Sequence, residues 1–418
     1  MVLPSVPSSL LGAPAGIPRS VLLTATVAAA ACLSIPLILQ SKGVKSQLSI
    51  PSPRIKTLPV ISEKESLALP YPLDALPGGR DVETPYGSIR VYEWGPEDGE
   101  KVLFVHGIST PCISLGDLGH EFVGKGCRVM LFDLFGRGYS DAPSDLVYDA
   151  RLYVTQFLLV LASSKLSWTN FNLVGYSLGG GLCVLFSRYF PHQINSLILV
   201  ASCGLIRPYH VGWKSWLLYS SGLLPDFLVK VLVRRRIRPE IAQPPGAAGG
   251  TDIASAEVKK YLPSGDGDSN GGARFDSTSI SKFRPDTTVS SVVRWQVDHH
   301  DGFVTAFLST IRNAPIYAPQ RDWKALNKIL EGRREDRRES ALAREAASAS
   351  GLHAGKILMI LGEDDPIVVK EETIEDAHNA LGADGVEISV LPGGHEIHIT
   401  ASSRIADAVE AFWRKYPA

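Results

Sequence analysis

The sequence predicts an α/β fold: a mainly parallel sheet flanked by helices, with a helical cap inserted between two halves of the core. Three observations predict it. From residue 87 onward, short apolar runs of strand length alternate with stretches of helical period. Most of those runs are apolar throughout, as strands covered on both faces by helices must be. The alternation stops between Cys203 and His353 and resumes at Lys356, so two separated blocks build one core.

The elements follow in order. Ser88–Glu93 (SIRVYE) alternates like a half-buried strand. Val102–Val105 (VLFV) and Arg128–Phe132 (RVMLF) are compact buried strands, ending at His106-Gly107 and Asp133. Asp149–Ser163 has helical period. Phe171–Val174 (FNLV) is a strand followed by a helix from Leu178 to about Tyr189, and Ser196–Ala201 (SLILVA) is a further strand. Lys356–Leu361 (KILMIL) and Val386–Leu391 (VEISVL) add two more, before an amphipathic helix over Ile405–Lys415. Between the blocks, residues 208–237 and 288–330 read as helical and aromatic-rich. Residues 243–286 are rich in Gly, Pro, Ser and Asp, and 331–350 are charged and then Ala/Ser-rich. The first is expected to be disordered or a mobile loop and the second a solvated helix or linker, both as insertions in the cap.

Four parts result: residues 1–62 as an apolar targeting segment and linker, 63–203 as the first half of the core, 204–353 as the cap with its insertions, and 354–418 as the second half. The first 62 residues contain no Asp or Glu, and Val21–Leu39 is an uncharged run. Nineteen residues at the helical rise span about 28 Å, close to the ~30 Å hydrocarbon layer. This segment is therefore expected to be a single transmembrane anchor, making the protein membrane-anchored, with the endoplasmic reticulum as a candidate site. The alternative is a cleaved segment that leaves a secreted or organellar protein. Lys42, Lys45, Arg54 and Lys56 after the run outweigh Arg19 before it, which favours a cytosolic C-terminal side, with an uncleaved signal-anchor facing a lumen as the alternative.

Composition excludes other classes. Of 418 residues, 45% are hydrophobic and 20% charged, with a net charge of −1. No global field favours nucleic acid as a partner. The five cysteines are scattered, and no Cys/His cluster has metal-ligand spacing. Neither metal nor cofactor is expected.

The chemistry rests on Gly175-Tyr176-Ser177-Leu178-Gly179, directly after one strand and before a helix. This G-x-S-x-G pattern is a nucleophile elbow. Its turn is so tight that the serine takes strained backbone and its neighbours must be small. The hydroxyl is presented at a helix N-terminus, where developing negative charge is favoured. A serine hydroxyl needs a base, and the base an orienting acid. Asp364 and Asp365 follow one strand, and His395 follows the next after a Gly-Gly turn. The G-x-x-D spacing from Gly362 selects Asp365, leaving Asp364 as a solvated neighbour. The turn selects His395 over His398, which is read as a packing or surface residue. The loop after SLILVA, Ser202-Cys203-Gly204, holds no carboxylate. Two backbone N–H groups must meet the oxyanion. Leu178 supplies one and Ile108, in the loop after VLFV, the other. His106 is read as a loop-fixing histidine.

These motifs, together with Asp133-Leu-Phe-Gly-Arg-Gly-Tyr-Ser-Asp141 and Leu391-Pro-Gly-Gly-His395, resemble the α/β-hydrolase superfamily. More narrowly, they are similar to its monoglyceride-lipase-like and meta-cleavage-product-hydrolase-like serine members. The resemblance covers about residues 85–204 and 354–416 and implies a cap between them. It implies an acyl-transfer enzyme without a cofactor, a serine esterase of carboxylesterase or lipase type. Asp133 and Arg137 are then structural loop residues. Cap aromatics Trp213, Trp216, Tyr219, Trp295, Phe303 and Phe307 point to a lipophilic small-molecule ester, thioester or lactone, although core packing competes for those side chains. Three alternatives stay open. One is a hydrolase of carbon–carbon bonds, another a biosynthetic hydrolase of polyketide-type or carrier-bound intermediates. The third is a non-catalytic binding protein on the same fold.

Overall fold

The computed structural model describes residues 48–210, 219, 225–242, 244, 271–317, 320–343 and 351–416. Residues from Leu48 onward form one compact unit. Its centre is an eight-stranded sheet. The strands are β1 (Gly79–Thr84), β2 (Gly87–Trp94), β3 (Lys101–Val105), β4 (Arg128–Phe132), β5 (Phe171–Tyr176), β6 (Ile194–Val200), β7 (Ile357–Gly362) and β8 (Val386–Leu391). Their spatial order is β8-β7-β6-β5-β3-β4-β2-β1. Strand β2 pairs antiparallel with β1 and β4, and the other pairings are parallel.

Each inner strand alternates sides, so its two apolar sets enter two different cores. Val102, Phe104, Val129, Leu131, Val174, Ile198 and Ile360 pack in one cluster. Leu103, Val105, Met130, Phe132, Leu173, Leu199 and Met359 pack in the other. That is why these strands read as unbroken apolar runs. The principal helices are α1 (Gly116–Gly124), α2 (Ala150–Ala162), α3 (Leu178–Tyr189), α4 (Asp226–Ile237), α5 (Gly272–Ser277), α6 (Val289–His299), α7 (Phe303–Asn313), α8 (Gln320–Ala343), α9 (Lys370–Leu381) and α10 (Ser402–Lys415). Helix α2 starts where Asp149 accepts the N–H groups of Arg151 and Leu152, satisfying donors that the first turn leaves open. Elements α4 to α8 lie between β6 and β7, where the strand pattern is interrupted.

Several segments differ from their sequence reading. Residues 48–62, read as part of the linker, are packed, as is the chain that follows up to Leu76. Ser49–Ile50 pairs antiparallel with Ala142–Pro143. Tyr71 is fully buried, and its hydroxyl donates to Asp133 Oδ2 at 3.0 Å. Single anchors such as this leave no periodic signal. Within 243–286, residues 271–288 carry α5 and a hairpin of Ser279–Ser281 with Arg284–Thr288; residues 243 and 245–270 lie outside the described residues. Within 331–350, the charged stretch continues α8 as far as Ala343, in line with the solvated helix that is one of its two readings.

The expected membrane-anchored placement is corrected. No helix among the described residues is long and apolar enough to cross a membrane. The longest, α8, has 24 residues, but twelve of them are charged, and such a helix is not stable in hydrocarbon. Residues 21–39, on which that expectation rested, lie outside the described residues.

Candidate active site

The strand order reverses between β3 and β5, because β3 leads outward to β4 while β5 leads the other way to β6. Chains leaving the carboxyl ends of β3 and β5 therefore diverge and open a crevice. Gly107-Ile108 leaves one wall of it and Ser177-Leu178 the other. The loops after β7 and β8 reach the same end of the sheet and bring Asp365 and His395.

Ser177 has φ 50° and ψ −120°, a conformation that costs an ordinary residue about 1–3 kcal/mol. The surroundings hold it there. Its N–H donates to Val200 O at 3.1 Å, and its C=O accepts from Gly180 N at 2.9 Å and Cys203 N at 3.0 Å. The Cys203 thiol donates to the same carbonyl at 3.2 Å. The glycines around it are steric requirements. A Cβ on Gly175 would lie 2.6 Å from Gly179 O, and one on Gly180 2.1 Å from Ser202 Oγ.

The structure brings the three predicted side chains together. His395 Nε2 lies 3.1 Å from Ser177 Oγ and His395 Nδ1 lies 2.8 Å from Asp365 Oδ2. All three are buried. The other oxygen of Asp365 accepts the N–H groups of Ile367 at 2.8 Å and Val368 at 2.9 Å. The carboxylate is thus fixed in rotation, with one oxygen left for the imidazole. Asp364, by contrast, has a side chain 68% exposed and points away. Tyr176 donates its hydroxyl to the His395 C=O at 3.0 Å, tying the His395 loop to the elbow. Burial, with the Asp365 and Glu396 charges adding to it, pushes the Tyr176 hydroxyl well above its ordinary pKa, so it stays a donor.

The candidate oxyanion donors Ile108 and Leu178 line the same cavity as Ser177 and His395. Leu178 opens α3, where N–H groups lack intrahelical partners. Buried Arg137 positions the other donor's loop. Its Nε donates to Ile108 O at 3.1 Å, while its guanidinium also binds Phe135 O, the Tyr153 hydroxyl and Thr310 Oγ1. His106 fixes the same loop, with Nε2 accepting from Leu134 N at 2.8 Å and Nδ1 facing Gly107 O at 2.8 Å. Burial pushes its pKa down to about 3, so the ring is neutral. His398 is fully buried and stacks on Tyr176 with ring centres 3.5 Å apart. Burial and the neighbouring His395 push it well below the ordinary histidine range.

The cavity beside Ser177 has a volume of about 120 Å³. Its walls include Ile108, Ile206, Phe275, Ile311, Ile316 and Ile367, with Tyr219, Tyr317 and His210 adding polar atoms. Of the cap aromatics named from sequence, Tyr219 lines it, while Trp295, Phe303 and Phe307 are buried in the packed core. Trp213 and Trp216 lie outside the described residues. Sequence reading missed Phe275, which sits in a polar, Gly-rich stretch with no buried-face pattern. Arg274 beside it pairs with Glu396 at 2.8 Å, one residue from His395. Among the described residues, no group of three or more His, Cys, Asp and Glu side chains is placed to hold a metal ion.

A family profile described as the alpha/beta hydrolase fold matches residues 101–402. The chain belongs to that family. A serine hydrolase-like protein of Danio rerio is 28% identical over 126 residues, covering 30% of this chain and 38% of that protein. Protein phosphatase methylesterase 1 of Candida albicans is 31% identical over 110 residues, covering 26% and 31%. In both cases the match spans less than two fifths of the relative's length. Among solved structures, a bacterial membrane phospholipase A superposes with a TM-score of 0.52 at 16% identity, covering 92% of this chain and 98% of that one. An esterase of Exiguobacterium antarcticum gives 0.50 at 17% identity, covering 80% and 99%. At such identities the likeness is one of fold.

Proposed function

We propose that this α/β-hydrolase-fold chain is a serine hydrolase that cleaves a carboxylic ester, or a thioester or lactone, of a lipophilic small molecule. The observation that carries the reading is the unbroken relay from Asp365 through His395 to Ser177, ending in an apolar cavity. Ser177 Oγ attacks the carbonyl carbon as its proton passes to His395 Nε2. The Asp365 carboxylate holds the Nδ1–H tautomer and stabilises the imidazolium. The N–H groups of Ile108 and Leu178 take the oxyanion. On collapse, His395 returns the proton to the leaving oxygen or sulfur, leaving an acyl-serine. Water, deprotonated by the same nitrogen, then attacks the acyl carbon and releases the acid and Ser177. Residues 204–353 act as the cap whose inner side chains, Phe275, Ile311 and Ile316, select the acyl group. No metal or cofactor takes part.

The test has two arms. A fluorophosphonate probe should label the full chain and fail to label Ser177→Ala. A hydrolysis panel graded by acyl length and leaving group should show turnover that rises from acetyl to medium-chain esters. Failure to label would remove the catalytic reading in favour of a binding protein. Labelling, together with turnover of vinylogous β-diketones and none of esters, would move the chain to carbon–carbon bond hydrolysis. Curated relatives that cleave 2-hydroxymuconate semialdehyde, 31% identical over 90 residues in one case, make that arm worth including.

A further inference from the structure

Helix α4 is apolar on two faces. Val229, Val233 and Ile237, each one turn apart, are buried, and the helix packs through them beside α7. On the other side Phe227 is 72% exposed, Val231 53%, Leu232 39% and Leu228 37%. Their spacing of one, four and five residues places them side by side on one helical surface. A helix lying on a soluble core carries polar side chains there. A contiguous apolar patch with a polar rim marks an interaction surface.

The rim is basic. Residues 226–238 hold Lys230, Arg234, Arg235, Arg236 and Arg238 against a single acid, Asp226. Asp298 faces this rim, but it is already shared among Arg234, Arg238 and Arg294. Asp226 itself lies 3.9 Å from Arg312. Among the described residues neither Lys230 nor Arg235 has an ion-pair partner, so positive charge is in excess around the apolar patch there. An anionic bilayer satisfies both features, since acyl chains receive the Phe, Val and Leu side chains while long basic side chains reach lipid phosphates.

Helix α4 also adjoins the cavity. Arg236 lies over the ring of cavity-lining Tyr219 at 5.8 Å. Arg312, paired with Asp226 at the start of α4, donates to the Tyr219 carbonyl at 2.8 Å. A surface seated on α4 would open next to the site that a lipophilic substrate enters.

We propose that α4 is a peripheral docking surface for an anionic lipid bilayer, lying in the plane of the interface. Its twelve residues reach about 18 Å, far short of a span. The docking is independent of the acyl chemistry, so Ser177→Ala should bind vesicles as the unaltered chain does.

The experiment uses the full chain with a reporter on the helix itself, so that binding elsewhere cannot imitate the result. Leu232→Cys, in a Cys32→Ser background, is labelled with a polarity-sensitive dye; Cys112, Cys127, Cys183 and Cys203 are buried. Vesicles with about 30% phosphatidylglycerol should blue-shift the dye, pure phosphatidylcholine should not, and about 0.5 M salt should reverse the shift. Phe227→Glu with Val231→Glu should weaken the vesicle affinity sensed by the dye by about tenfold or more, with far-UV circular dichroism and thermal midpoint unchanged. A chain that sediments with anionic vesicles while the dye stays unshifted overturns the proposal. So does an equal response to neutral vesicles, or a dye response to an acidic protein with none to lipid.

Discussion

Replacing Gly179 with alanine tests the site through a single methyl group. A Cβ there would lie 2.1 Å from Val105 O, 2.6 Å from the Val105 carbonyl carbon and 2.8 Å from His106 O. All three are backbone atoms, so no side chain can swing aside. Restoring ordinary contact requires a shift of about 1 Å between the end of β3 and the start of α3. The β3 side is anchored by its pairing of Val105 with Gly175, by His106 and by Arg137. The shift therefore falls on the elbow, where it separates the Ile108 and Leu178 N–H groups and turns Ser177 away from His395. Overpacking of this kind costs about 1–3 kcal/mol of stability, and a 1 Å misplacement of reacting groups costs about 10²-fold in rate. Steady-state kinetics on a p-nitrophenyl ester should show kcat falling by about that factor with a smaller change in KM. A denaturation midpoint measured alongside should drop. A Gly179→Ala chain with kcat within about threefold of the parent and an unchanged midpoint would refute the argument from close approach.

Three further predictions follow from the same geometry. Asp365→Asn should keep its amide oxygen on the Ile367 and Val368 N–H groups, turning the NH₂ toward His395 Nδ1. The imidazole would then carry its proton on Nε2, unable to accept from Ser177, and kcat should fall by about 10³–10⁴; a loss under tenfold would argue against the relay. Burial pushes His106 down to about 3 and His300 down to about 4. In the unfolded chain both recover a value near 6.5. Their contribution to stability is therefore complete above about pH 6.5 and is lost as pH falls toward 4, at about 1.4 kcal/mol per pH unit for each. Urea unfolding at pH 8 and pH 5 should differ accordingly, and His300→Gln should reduce the difference by its share of about 2 kcal/mol; equal stability at both values would contradict it. Finally, Gly332→Ala in α8 places a Cβ with nothing within 4 Å, so it should stabilise the chain by about 0.5–1 kcal/mol, read as a higher denaturation midpoint.

Parts of the fold and site were legible because their signals are local. An inner strand flanked by helices must be apolar on both faces, so VLFV, RVMLF and KILMIL announced themselves. The elbow is a stretch of five residues whose sterics demand glycine on either side of a strained serine. Order along the chain and position past strand ends sufficed to name Asp365 and His395 as candidates. Other parts had no such signal. Edge strand β1 is half-exposed and polar, and it exists because it pairs with β2. Tyr71 is buried by Asp133, Tyr139 and Trp295, none of them near it in sequence. Phe275 sits among Gly, Arg, Asp and Ser, yet its ring lies 5.8 Å from that of His395.

The sequence by itself determined which residues have the chemistry for the site and which segments form the inner strands of the sheet, because sterics and hydrophobic period act over a few neighbouring residues. Only the tertiary structure decided which aromatics line the cavity, since Trp295, Phe303 and Phe307 carry the same apolar signal whether they face a substrate or a core. It alone showed how the Asp365 carboxylate is held, with two backbone donors on one oxygen and the other facing His395. The physical reason is range: burial and hydrogen-bond partnership are set by residues distant in the chain, and no local pattern encodes where those residues come to rest.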